Sequence, residues 1–443
     1  MRLCQRSSHR EPHSTRRFRP ETISLALVCV VGAFTIQPAS SQTFSVIHAF
    51  SGGADGAVPT GGLTLAPGGA LYGTTTSGGT GGSGNNGVVF KIAPHSSGWV
   101  LNALFEFNGN NGKAPSGGVA IGPSGALYGL TSTGGPSNAG VVYELQPPFS
   151  ICQAVTCYWS QTILHNFTAL DDGGFPGYGT PIFDGAGNLY ATAELDGAQN
   201  GGVVFKLSRS GNQWTETILH DFGGGEDGVE PDAGLVFDAS GSLYGTTLSG
   251  GINQCQGSFC GTVFQLVPQQ DGSWHENVLF NFNTLDAGSY PTSTLVLDQA
   301  GNFYGTTSSG GSNNGGTVFE LSPANGWTFS VLNALPAGGG QWCTSLTGVS
   351  RDAAGNLYGV CSQDGASNQG LVFKLTLANG NYTFHDLHDF TGGTDGGSPV
   401  GGVVLDANGN LYGTAAYGGN TSECGGNGCG VIWEIAGVAG IRD

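Results

Sequence analysis

A tyrosine inside a Leu-Tyr-Gly string, or a near variant of it, recurs at Tyr72, Tyr128, Tyr190, Tyr244, Tyr304, Tyr358 and Tyr412. Spacings of 54 to 62 residues separate the copies, and seven units account for residues 42–443 with no linker left over. Each copy is one supersecondary unit that cannot bury its apolar face alone, so the copies must stack in a line or close into a ring. The coils of a β-helix are much shorter than this period.

The unit from Gly234 to Phe282 shows the grammar. It reads GLVFD, a turn ASG, SLYGTT, a glycine-rich loop, TVFQL, a polar connection and WHENVLFNF. The apolar strings are short, rich in Val, Phe, Tyr, Leu and Thr, and bounded by turn formers, which marks four strands. Asp184-Gly185-Ala186-Gly187, Asp238-Ala239-Ser240-Gly241, Asp298-Gln299-Ala300-Gly301, Asp352-Ala353-Ala354-Gly355 and Asp406-Ala407-Asn408-Gly409 repeat D-x-x-G between the first two strands. There Asp caps a type I turn and Gly accepts a positive φ. One carboxylate per turn is too few to hold calcium. The 81 glycines among 443 residues are mostly these turn positions, copied, and they disfavour long helices.

The seventh unit ends after Val431-Ile432-Trp433-Glu434-Ile435 without a fourth strand, whereas Thr43–Phe50 carries that strand's pattern. The expectation is therefore an all-β, seven-bladed β-propeller of four-stranded antiparallel blades. Its ring is closed by the N-terminal strand completing the last blade, which removes an open sheet edge.

Residues 1–41 have the order of a secretory signal peptide: six arginines, an apolar run from Ile23 to Ile36, then Ala39-Ser40-Ser41. Residues 42–443 form the single propeller domain. Without the leader, 7 basic and 29 acidic residues remain, a formal charge of −22, which excludes a nucleic-acid partner. No transmembrane segment is expected in the mature chain, which should be a monomer, secreted or held in the cell envelope (periplasmic or extracellular). Eight cysteines remain: Cys152/Cys157, Cys255/Cys260 and Cys424/Cys429 at one spacing, with Cys343 and Cys361 as a fourth pair. Even number, close pairing and export favour disulfides over the rival zinc reading.

The set D-x-x-G-x-L-Y-G-T-T, then G-x-V-F-K-L, W-x₄-L-H-x-F and D-G-x-x-P resembles the GloVer tandem-repeat family of secreted bacterial proteins across residues 42–443. More distantly, GLVFDASGSLYGTT is similar to an NHL-repeat strand pair. The sixth unit departs most, with GGGQWCTSLTG in place of D-G-x-x-P.

In such a ring the loops from fourth to first strand and from second to third strand share the face that surrounds the channel mouth. That face carries Asp55, Asp172, Asp227, Asp286 and Asp395, with Asn111 in the second unit. These are ligand-face candidates, although Asp-Gly is foremost a turn former. Residues that break the repeat are better clues: Glu194 and Asp196 in blade three, Asp364 in blade six, and Tyr417 in blade seven. Glu194, Asp196 and Asp364 are the candidates for a hydrolytic carboxylate pair, and drift in a copied surface loop explains them equally. His48, His165, His220 and His388 share a position taken elsewhere by Phe105, Phe280 or Asn333, which argues for packing. Trp99, Trp159, Trp214, Trp274 and Trp327 recur at the start of the fourth strand, also as packing. Trp342, beside Cys343, stands outside that series and is a further ligand candidate.

No nucleophile elbow, phosphate loop or zinc-protease helix is present. The leading expectation is a non-catalytic binding module for an extracellular glycan, peptide or protein, with no cofactor. The alternative is an extracellular hydrolase, lyase or lactonase using the repeat-breaking carboxylates, with Ca²⁺ as its possible metal.

Overall fold

The computed structural model describes residues 42–80, 84–122, 124–148, 159–211, 213–252, 254–255, 258–283, 286–336 and 348–438. Within 42–438 the four apolar strings of each unit form one four-stranded antiparallel sheet, seven in all. In blade three, for example, Ile182–Phe183, Leu189–Ala193, Val203–Ser210 and Gln213–Asp221 pair in chain order. The signal-peptide reading of residues 1–41 lies outside the described residues.

Blade seven takes its fourth strand from the other end of the chain. Thr43–Ala49 pairs antiparallel with Val431–Ala436, matching Phe44 to Ile435 and Val46 to Trp433. A bulge interrupts that pairing between Val46 and His48, and the same irregularity occurs between third and fourth strands in all seven blades. An extra residue there bends and twists the end of the outer strand.

The core lies between blades, as seven apolar clusters for seven joints. At the joint of blades seven and one, Phe50 and Ile432 pack with Phe90 and Ile92. The fourth-strand tryptophans clasp five of the seven joints against the Leu-Tyr-Gly tyrosine of the preceding blade. Trp99 meets Tyr412 edge-on at 5.6 Å, Trp214 meets Tyr128 at 6.5 Å, and Trp274 meets Tyr190 at 6.3 Å.

Around the axis the entry segments to the first strands approach backbone to backbone. A Cβ on Gly61 would lie 2.6 Å from the Gly117 carbonyl oxygen, and one on Gly117 would lie 2.4 Å from that of Gly179. A Cβ on Gly401 would lie 2.8 Å from the Gly61 carbonyl, which closes the circle. Glycine is required here by close approach, independently of φ.

Cys424 and Cys429 form a disulfide, and Cys260 and Cys361 are disulfide-bonded as well. Cys152, Cys157 and Cys343 lie outside the described residues, as does the side chain of Cys255.

Candidate functional site

A four-stranded meander places its second-to-third and fourth-to-first connections at the same end of the blade. Isolated bridges tie these connections together, as in Ala57 with Ser77, Val229 with Ser249 and Gly397 with Tyr417. Beside each bridge stands a residue that precedes proline yet has a positive φ: Val58, Ala114, Phe175, Glu230, Tyr290 and Ser398, at 51–60°. This conformation is doubly disfavoured, by the L-configuration and by the following proline ring. It persists because both backbone groups are held. In blade four, Glu230 N–H donates to the Gly201 carbonyl at 2.8 Å, and its own carbonyl accepts from Leu248 N–H at 2.8 Å. One rigid frame thus presents a different side chain in each blade, at positions of stored strain such as functional sites often use.

At blades three and four the variable positions turn acidic together. Glu194 directly follows the second strand of blade three, and its N–H donates to the Phe175 carbonyl at 3.3 Å. Burial and the charge of Glu230 push the Glu194 carboxyl above its ordinary value. Asp232 is 5% exposed, and its Oδ1 is shielded with no hydrogen-bond partner. Burial, with Glu194 and Glu230 adding like charge, raises its pKa to about 7. Tyr178 donates its N–H to the Asp232 carbonyl at 3.1 Å. Its phenol is raised by burial and by Asp232 and Glu194. A Cβ on Gly177 would sit 2.6 Å from Asp232 Oδ1. The equivalent positions carry Thr60, Ser116 and Thr292, so glycine here makes room for the carboxylate of the next blade.

The D-G-x-x-P aspartates are engaged within their own loops. Asp55 accepts from Ser51 N–H at 2.9 Å, Asp172 from Thr168 N–H at 2.9 Å, Asp227 from Gly223 N–H at 2.8 Å and Asp395 from Thr391 N–H at 2.9 Å. Asn111 accepts from Asn108 N–H at 2.9 Å. Where the fourth strand carries histidine, that ring reaches the aspartate seven residues on. His48 lies 3.2 Å from Asp55, His165 3.4 Å from Asp172, His220 3.0 Å from Asp227 and His388 3.3 Å from Asp395. Asp286 follows Phe280 instead, and its side chain is exposed. The constant His-x₆-Asp spacing was the sequence signal for these pairs.

Two of these histidines also face a glutamate of the next blade, Glu216 for His165 and Glu276 for His220. Burial and the facing aspartate push Glu216 up to about 8 and Glu276 up to about 7. His165 falls below its ordinary value because burial outweighs Asp172. His220 rises, since its shorter hydrogen bond to Asp227 and the charge of Glu276 outweigh burial.

The three repeat-breaking carboxylates do not share one environment. Asp196 takes a φ of 63° where other blades place Gly78, Gly134 or Gly250, and its Oδ2 has no hydrogen-bond partner. Asp364, 5% exposed, lies by Asp386 on the outer strand of blade six. Burial, Asp389 and Asp364 raise Asp386 to about 6. Glu194 has Glu230, Asp232 and Tyr178 instead. Tyr417 is 46% exposed and lines a shallow cleft of about 340 Å³ with Gln369 and Asn427. Trp342 lies outside the described residues. The D-x-x-G aspartates serve their turns: Asp238 accepts from Ser240 and Ser242 N–H at 2.9 Å and from the Tyr244 hydroxyl at 3.0 Å.

The family model of the Gloeobacter/Verrucomicrobia repeat matches residues 32–158 and 149–350. No curated protein matches the chain. Among solved structures, an ancestral GH74 enzyme is similar at 12% identity and a TM-score of 0.50, covering 86% of this chain and 51% of that one. This chain therefore spans about half of that enzyme. A candidate 6-phosphogluconolactonase from Bacteroides uniformis ATCC 8492 is 16% identical, covering 74% and 83% of the two chains, with a TM-score of 0.46. An ulvan lyase bound to -[GlcA(1-4)Rha3S]- is 10% identical, covering 85% and 90%, with a TM-score of 0.45. At these identities the likeness shows the propeller fold alone.

Proposed function

The chain belongs to the Gloeobacter/Verrucomicrobia repeat family, and from that premise we propose that it is a secreted binding propeller for a neutral extracellular glycan. The ligand is received at the acidic sector of the channel mouth. One observation carries the reading: Glu194, Glu230, Asp232 and Tyr178, all departures from the repeat, converge on one strained and rigid frame. Clustered carboxyl oxygens accept hydrogen bonds from paired sugar hydroxyls, and Phe175 and Tyr178 offer apolar ring surface in the same sector. A formal charge of −22 over residues 42–443 repels anionic polymers and favours a neutral ligand. The Cys424–Cys429 bridge supports an oxidising compartment.

The test is a glycan array with residues 42–443, followed by calorimetry on the hits. Glu230→Gln and Tyr178→Phe should each weaken binding at least tenfold. A variant series that binds as the parent does, or a parent that binds no glycan, overturns the reading.

A second reading rests on Asp232, whose carboxyl holds its proton up to about pH 7 beside the glutamates 194 and 230. Such a pairing suits a general acid with a carboxylate partner. Release of reducing ends from a bound glycan, lost in Asp232→Asn, would make the propeller a glycan-cleaving enzyme; binding without release leaves it a binding module.

A further inference from the structure

Apart from the acidic sector, two clusters repeat one donor set at neighbouring blade joints. At the joint of blades two and three, His165 Nε2 lies 3.4 Å from Asp172 Oδ2 and 3.5 Å from Glu216 Oε1. At the joint of blades three and four, His220 Nε2 lies 3.0 Å from Asp227 Oδ1 and 3.9 Å from Glu276 Oε2. Within each set the three donor atoms lie within 4.8 Å of one another. The histidine and aspartate come from one blade and the glutamate from the outer strand of the next.

Two other joints fill the same place with stacked rings. Phe280 stacks on Phe329 at 3.9 Å and 4°, and His388 stacks on Phe44 at 3.6 Å and 7°. Phe329 and Phe44 stand at the repeat position of Glu216 and Glu276, and blade one has Leu101 there. Substituting glutamate for the apolar partner sets two carboxyl groups against one imidazole at each of these two joints. Glu216 Oε1 and His165 Nε2 are moreover shielded from solvent and meet each other and Asp172 only at these long separations, and Glu276 Oε1 is shielded likewise. Shielded polar atoms without close hydrogen bonds are costly, and the same arrangement at two joints calls for a shared compensating group.

The donor chemistry and spacing identify that group. One imidazole nitrogen with two carboxylate oxygens is a common divalent-metal set. Ligands at about 2.0–2.1 Å around a tetrahedral zinc stand about 3.4 Å apart. The separations of 3.4 and 3.5 Å match this, and those of 3.0 and 3.9 Å bracket it. The six side chains remain 14–23% exposed, so each cluster lies near the surface of its joint. We propose that His165–Asp172–Glu216 and His220–Asp227–Glu276 are two zinc-class divalent metal sites that staple blade two to three and blade three to four. Asp172 and Asp227 each stand three residues before the strained residue of the same loop, Phe175 and Glu230. Metal binding therefore fixes the loops that carry the acidic sector, whatever ligand that sector receives.

The experiment is calorimetric titration of the EDTA-dialysed chain with Zn²⁺, with Ca²⁺ in parallel, and thermal melts of the same samples. Two equivalents of zinc should bind saturably and raise the Tm. Glu216→Leu, which copies Leu101, should bind one equivalent, and the Glu216→Leu/Glu276→Leu double variant none. Asp395→Asn, at the joint where His388 stacks on Phe44, should still bind two. If the leucine variants fail to fold, Glu216→Gln/Glu276→Gln reads the same loss in a near-isosteric background. Unchanged stoichiometry in the folded double variant, or a parent that neither binds zinc saturably nor gains Tm from it, overturns the proposal.

Discussion

Asp232→Asn should change how the stability of the ring depends on pH. The Asp232 carboxyl is held at about 7 by burial and by Glu194 and Glu230, against an ordinary value of 3.8. Tyr178 is the remaining titratable neighbour. Between those two pH values the native state keeps a proton that the unfolded chain has lost. Stability from this group is therefore full below pH 3.8, falls as pH rises toward 7, and levels off above it. At about 1.4 kcal/mol per pH unit the whole span is on the order of 4 kcal/mol. An unfolding entropy of about 2.1 cal/mol/K per residue over roughly 400 residues converts this to about 5 °C in Tm. The assay is a series of thermal melts from pH 4 to pH 8.5 on the parent and on Asp232→Asn, which cannot ionise. Glu216 and Glu276 titrate in the same window but contribute to both proteins, so the difference between the two curves isolates Asp232. The parent should lose about 5 °C relative to the variant across that range. Parallel curves would refute the reasoning, because they would mean that the carboxyl is already solvated in the native state.

Two further outcomes test the frame. Gly117→Ala places a methyl 2.4 Å from the Gly179 carbonyl oxygen, so backbone must shift on both sides; a loss of about 1–3 kcal/mol is expected in urea unfolding. Asp238→Ala removes the acceptor for Ser240 N–H, Ser242 N–H and the Tyr244 hydroxyl, and a loss of about 2 kcal/mol by the same measurement is expected.

The architecture was legible because duplication writes it seven times. The missing strand after Ile435 and the spare one at Thr43–Phe50 predict the closure that the register of Phe44 with Ile435 shows. The interchange of histidine with Phe280 argues for packing, which holds for His388, whose ring stacks on Phe44, whereas His165 and His220 face carboxyl groups instead. The sites were less legible, for a physical reason. His165 and Glu216 are 51 residues apart and belong to different copies, so only the rotation from one blade to the next brings them together. Reading the repeat column by column shows that Glu216 replaces Leu101 or Phe329, but not what it faces. Asp232 was hidden in the same way, since Glu230-Pro231-Asp232 reads as one more entry turn until Gly177 of the preceding blade is seen to leave space for its carboxylate. Asp364 broke the repeat as visibly as Glu194, yet its neighbour is Asp386 on the outer strand of its own blade.

The pairing of Thr43–Ala49 with Val431–Ala436 also governs time. The first strand made during synthesis has no partner until the last one has been made, so six blades can form while the seventh waits with an open edge. Among the described residues this strand pairing spans the greatest sequence separation, and contacts of that kind form late and slowly. Once made, it turns the chain into a circle with no preferred beginning. A permutant opened at a turn between other strands, with the present ends linked, would fold to the same ring without that wait.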